Sequence, residues 1–228
     1  MKWLQECLYC HHPLYQLGNG MLKCSHCKKK QSPERINKVM TLISCFTDDE
    51  TALSVSKRLG LSYVSVHSYY ETFRQLSAVL CESQYEAIRH LNCEYEEYYY
   101  LEQSKRQKKS AVFDAHNFLS FDYEGHLYNI IMPSLQQYRQ HFIEDSLEDV
   151  YNSEFIRFKR KSRIIKVTKR YNNIVKFWDY FEHSIVRYKG VSNSAFAYYL
   201  KEIEFKFNHD KKRQYTLLEE AYFERKTL

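Results

Sequence analysis

Four cysteines near the start of the chain constrain its fold more than any other feature: Cys7-x-x-Cys10, thirteen residues, then Cys24-x-x-Cys27. Each pair turns the backbone so that two thiols face one point, and two pairs complete a tetrahedron of soft donors. This is the spacing of a zinc ribbon. Between the pairs, Leu14-Tyr15-Gln16-Leu17, a Gly18-Asn19-Gly20 turn and Met21-Leu22-Lys23 read as a short hairpin. A module of about 30 residues buries too little apolar surface alone, so a structural Zn2+ is expected to supply much of its folding free energy. Disulfides are the alternative pairing, but the opening Met1-Lys2-Trp3-Leu4-Gln5-Glu6 shows no signal peptide that would favour an oxidising compartment. His11, His12 and His26 lie close enough to substitute as ligands, yet four cysteines leave no vacancy. Cys45, Cys81 and Cys93 fit no ligand spacing and are expected to be buried hydrophobes.

Composition narrows the rest. Hydrophobic residues make up 44% of the 228 positions, which is enough for a core and excludes a wholly disordered chain. No apolar run reaches the roughly 18 residues of a membrane span, so a soluble, intracellular protein is expected. Only five Gly and three Pro are present, and no glycine-rich phosphate loop or dinucleotide fingerprint occurs. The formal charge of +6 is mild, but its distribution is uneven. Lys2, Lys23, Lys28, Lys29, Lys30, Arg35 and Lys38 face only Glu6 and Glu34 in the first 46 residues, and Arg157–Arg170 is basic without an acid. Residues 82–102 are acidic. Basic stripes beside an acidic patch suit a polyanion held near a divalent-cation site.

After the cysteines, Ser32-Pro33-Glu34 marks a helix start, with Ser as N-cap and Pro at the first helical position. Ile36, Val39, Met40 and Ile43 follow at helical spacing. A second helix is expected from about Thr51 to Leu59, a tight turn at Gly60-Leu61-Ser62, and a third helix reaching Leu76 or beyond. Helix, glycine-containing turn and helix make a helix-turn-helix arrangement, with Ala52, Val55 and Leu59 against Val66, Tyr69 or Tyr70, and Phe73. Tyr63, Val64, Ser65, His67 and Ser68 then stand where a recognition helix meets base edges. An ordinary helical hairpin has the same spacing, and the neighbouring basic ribbon tips the reading towards DNA.

From Cys93 the pattern changes to strands. Residues 93–101, then 111–121, then His126–Met132 after a turn at Tyr123-Glu124-Gly125, describe an antiparallel meander. A basic hinge, Lys105 to Lys109, falls within it. Beyond Pro133 a short helix, a strand near Phe142-Ile143 and a basic segment are expected, then two helices at about Asn172–Tyr188 and Ser194–Phe207. The first carries an apolar stripe of Ile174, Phe177, Trp178, Phe181, Ile185 and Tyr188, while Asn172, Val175, Asp179 and Glu182 share another side. Acidic residues on strands facing such a side suit carboxylates holding two Mg2+ for phosphoryl transfer.

The blocks Asn172-Asn173-Ile174-Val175-Lys176-Phe177-Trp178, Lys189-Gly190-Val191 and Tyr199-Leu200-Lys201-Glu202-Ile203-Glu204-Phe205-Lys206-Phe207-Asn208-His209 resemble the end of bacterial insertion-sequence transposases. The resemblance is to the zinc-ribbon-bearing branch of the DDE type, and it spans about Cys7 to His209. It implies a multi-domain α+β chain: a zinc ribbon at 1–31, a helix-turn-helix segment at 32–92, and a ribonuclease-H-like mixed α/β domain at 93–228. It also implies Mg2+-dependent strand cleavage and transfer at element ends, in the bacterial cytoplasm at the nucleoid. The family's first acid falls at Glu96, which stands in place of an aspartate, and the second at Asp145. The third falls at 175, which is valine here, leaving Asn172, or Glu182 or Asp179, as the remaining ligand. The expected partners are terminal inverted repeats and target duplex, gripped by a homodimer or higher oligomer through Tyr63, Ser65, His67 and Ser68. Arg157, Lys159, Arg160, Lys161 and Arg163 are expected to hold phosphates. Two alternatives stand beside this one: a transposase-derived DNA-binding protein that has lost catalysis, and a zinc-ribbon transcription regulator.

Overall fold

The computed structural model describes residues 2–102, 111–134, 136, 172–188, 191–192 and 194–224. The hinge at Lys105–Lys109, the short helix after Pro133, the strand near 142–143, Asp145, and the cluster Arg157, Lys159, Arg160, Lys161 and Arg163 lie outside the described residues. The chain is mixed α/β, with two small antiparallel sheets, and it divides into two compact units: 1–84 with 201–228, and 85–200.

The first unit opens with a ribbon of three short strands, β1 (Leu14–Gln16), β2 (Leu22–Cys24) and β3 (Lys30–Gln31). The expected hairpin pairs Leu14 with Cys24 and Gln16 with Leu22, and β3 adds a third strand beside β2 that its two-residue length hid from pattern reading. Helix α1 (Pro33–Thr47) begins where the capping residues place it, with Ser32 Oγ accepting the Arg35 backbone N–H at 3.2 Å. Helix α2 (Ala52–Leu59) is capped by Thr51, whose hydroxyl accepts the Ser54 N–H, and it ends at Gly60 with φ of 64°. That left-handed conformation suits glycine, and it lets the chain turn at once into α3 (Tyr63–Ile88).

Val55, Val66, Tyr70 and Phe73 are buried together with Ile36, Val39, Leu42, Ile43 and Phe46 of α1, as the helical spacing requires. Aromatic rings fill much of this core: Phe46 meets Tyr70 edge-on at 5.1 Å. Two contributions were not legible locally. Trp3 and Leu8 of the ribbon enter the same core, and so do Phe205, Leu218, Tyr222 and Phe223 from the end of the chain. Leu218, Tyr222 and Phe223 lie on a helix that the sequence pattern did not single out, α6 (Lys211–Glu224). The Asp210 carboxylate caps it, accepting the Arg213 N–H at 2.8 Å. The preceding helix, α5 (Phe196–Asn208), sits close to its expected span.

The charges of α5 are the least expected part of this unit. Arg74 of α3 donates to Glu202 at 2.7 Å, Lys206 donates to the other Glu202 oxygen at 2.7 Å and to Asp49 at 3.0 Å, and all but Asp49 are buried. Lys206 also sits 4.2 Å over the Phe46 ring. A buried carboxylate held by two cations is satisfied as long as both stay in place.

In the second unit, β4 (Glu94–Tyr100), β5 (His116–Tyr123) and β6 (His126–Ile131) form the expected antiparallel meander in the order β4-β5-β6. The middle strand starts later than its sequence suggests. Ala111–Asp114 is a 3-10 turn, because β4 ends at Tyr100 opposite His116 and offers nothing further to pair with. Helix α4 (Asn173–Ile185) lays Trp178 and Phe181 against Tyr98 and Phe118. Trp178 Nε1 donates to Ser120 Oγ at 3.0 Å, and Ser120 donates to Asn129 Oδ1 at 2.6 Å, so each donor in this buried row has an acceptor. Cys45 and Cys81 are buried as expected, but Cys93 is exposed, in the link between α3 and β4.

Breaking the buried charge cluster separates its effect from that of surface pairs. Glu202→Ala takes away the carboxylate that buried Arg74 and Lys206 share, leaving Lys206 its Asp49 contact, and is expected to cost about 3–5 kcal/mol. Glu50→Ala, which removes the partner of the half-exposed Arg58, is expected to cost no more than about 1 kcal/mol. Urea unfolding of the two variants checks the difference.

Candidate functional site

The four cysteines converge. Their sulfur atoms all lie within 4.8 Å of one another, with Cys7 Sγ 3.6 Å from Cys27 Sγ and Cys10 Sγ 3.4 Å from Cys24 Sγ. The two knuckles repeat one geometry. The first cysteine of each donates its backbone N–H to the carbonyl five residues on, Cys7 to His12 and Cys24 to Lys29. The residue after each second cysteine is left-handed, His11 at φ 57° and Lys28 at φ 61°. Cys7 Sγ accepts the N–H groups of Tyr9 and Cys10, and Cys24 Sγ accepts those of His26 and Cys27. Backbone donors aimed at sulfur favour thiolates, the form that ligates metal.

Such a set fits a metal such as zinc. Without one, the thiols divide: the His12 N–H pulls Cys10 down to about 5, while burial pushes Cys7 up to about 12. Gln31 braces the first knuckle from β3, donating to the Trp3 carbonyl at 3.1 Å and accepting the Leu8 N–H at 3.2 Å. Sequence reading passed over Gln31, since only the strand pairing brings it there. His12 and His26 stack at 4.2 Å on the ribbon surface, and with Cys10 they form a second close group of ligand atoms.

The proposed reading helix has a buried and a bare side. Val66 and Tyr70 are in the core, Tyr63, Val64, Ser65 and Ser68 are exposed, and His67 is half-buried with Nδ1 3.7 Å from Glu71. Lys57 and Arg58, at the end of α2, are exposed just before the turn.

On the sheet, alternation divides the acids of β4. Glu96 and Tyr98 face α4, and Glu97 lies on the other side, accepting from Tyr99 and Asn117. Glu96 Oε1 accepts the Asn172 Nδ2–H at 3.2 Å, so two residues singled out together in the sequence do meet. Glu96 Oε2 is buried and has no hydrogen-bond partner among the described residues. Glu182 sits elsewhere on α4, accepting the Tyr98 hydroxyl at 2.7 Å.

These described residues do not present a Mg2+ set. Asn172 turns its N–H towards Glu96, and its oxygen caps α4 by accepting the Val175 N–H at 3.0 Å. Val175, where the resemblance places an acid, is buried. Among the described residues, the only groups of three or more metal-ligating side chains are the two at the ribbon.

No protein-family model, curated protein or solved structure matches the chain. Among the described residues, no helix is long and apolar enough to cross a membrane.

The divided thiols give a direct check. In metal-free chain whose ribbon keeps its fold, iodoacetamide at about pH 6.5 is expected to label Cys10 well ahead of Cys7, because only thiolate reacts. Lowering the pH through about 5 should extinguish the Cys10 reaction. Peptide mass spectrometry reads both.

Proposed function

We propose that this protein binds double-stranded DNA as a relative of insertion-sequence transposases, with the inverted repeats of an element as its target. In this reading Cys7, Cys10, Cys24 and Cys27 hold one Zn2+, the α2–α3 pair docks in the major groove, and two copies of the chain grip paired repeats. The observation that carries it is the α2–turn–α3 geometry. Gly60 makes the sharp turn, Val55, Val66 and Tyr70 are buried, and the first turns of α3 are left bare, with Lys57 exposed at the end of α2. The basic run at Lys28–Lys30, in the same unit, adds sequence-independent attraction to phosphates.

A second reading makes the chain an active transposase, cutting and joining DNA with Mg2+ around Glu96 and Asp145. The Glu96 oxygen beside Asn172 that has no hydrogen-bond partner among the described residues favours it. Against it stand the amide orientation of Asn172, the engagement of Glu182 by Tyr98, and valine at 175, so the first reading is the better supported.

Titration of labelled duplexes with the full chain at several salt concentrations tests the first reading. Affinity should fall steeply with salt, and Lys57→Ala should weaken binding on every sequence and reduce the magnitude of the salt slope by about one. Salt-independent binding, or none, would contradict it. Labelled element ends incubated with the chain and Mg2+ test the second. Cleavage that disappears in Glu96→Ala would establish it, and intact ends would exclude it.

A further inference from the structure

The bare face of α3 has a composition that limits what it reads. From Leu61 to Phe73 there is no Arg, Lys, Asn or Gln, the side chains that make paired hydrogen bonds to guanine and adenine. The first cation along the helix, Arg74, is buried in its pair with Glu202. What the first two turns offer is Val64, 74% exposed, with Tyr63 at 49% and the hydroxyls of Ser65 and Ser68. Val64 is the barest large apolar side chain among the described residues.

Its orientation is set from the other side of the helix, where Val66 and Tyr70 are locked into the core. In the folded chain alone, this isopropyl group gains nothing by facing water. Its complement in a major groove is the C5 methyl of thymine, the apolar group on the base edges there. Lys57, exposed at the end of α2 just before the turn into α3, favours a polyanion over an apolar protein surface as the occupant.

We propose that Val64, flanked by Tyr63, Ser65 and Ser68, recognises thymine methyl groups, so that the chain selects A·T-containing major-groove sites and does not read guanine through α3. The proposal rests on the duplex-binding reading above.

The test uses the full, metal-loaded chain. Duplexes selected from a random-sequence library give the site, and the same duplex is then remade with deoxyuridine for thymidine, which removes only the methyl groups. The selected sites should share thymines, and deoxyuridine should weaken binding about fourfold for each contacted methyl, the factor that burial of one such group supports. Val64→Ala, at an exposed position where alanine suits a helix, should weaken binding to the thymine duplex and no longer distinguish the two duplexes. Lys57→Ala should weaken both duplexes equally. Equal binding of both duplexes by the unaltered chain would overturn the proposal while leaving duplex binding intact, as would a Val64→Ala variant that discriminates as well as its parent. If no duplex is retained from the library, the underlying DNA-binding reading fails as well.

Discussion

Four sulfur atoms crowded within 4.8 Å are the constraint on which the N-terminal unit depends. Thiolates at that separation repel one another, and thiols so close bury polar groups with weak hydrogen bonds. A divalent cation turns the same arrangement into a crosslink between two knuckles that already point backbone N–H groups at their sulfurs. Such a crosslink would reach beyond the ribbon. Gln31 ties the first knuckle to β3, Trp3 and Leu8 enter the helical core, and the Trp3 ring meets Phe223 at 5.1 Å. A metal held by these sulfurs would therefore be coupled to the packing of α1 and α6, and through that shared core to the setting of α3. A ribbon of this size lacks a core of its own and borrows one.

What could be read from the sequence was local. The cysteine spacing, the Ser32-Pro33 helix start, the Gly60 turn and the strand at 93–101 each act within a few residues, and each has its counterpart in the structure. What could not be read depends on partners far along the chain. Helix α6 has a broken apolar pattern, and its Leu218, Tyr222 and Phe223 make sense only beside α1 and Trp3. Glu202 and Lys206 look like solvated helix charges until Arg74 and Asp49, more than a hundred residues away, are placed against them. Cys93 shows the converse error: a cysteine matching no ligand spacing was assigned to the core by residue type, and its position in a link leaves it exposed.

The second unit shows how little separates a ligand from a structural residue. Glu96 and Asn172 meet, yet the amide presents a donor, and the oxygen that a cation would need completes a helix cap. Turning the amide over would cost that cap, on the order of 1 kcal/mol. Glu182 is likewise held by a tyrosine hydroxyl, and Val175 packs in the core. Each of these side chains thus has a structural use, while the first turns of α3 stay bare.

The most direct measurement is a cobalt titration of the metal-free chain, followed by displacement with zinc. One Co2+ per chain with the intense absorption of a tetrahedral tetrathiolate, abolished by Cys24→Ser and displaced by one Zn2+, is the expected result. An octahedral spectrum, or uptake unaffected by loss of Cys24, would contradict the cysteine centre on which the N-terminal unit is built.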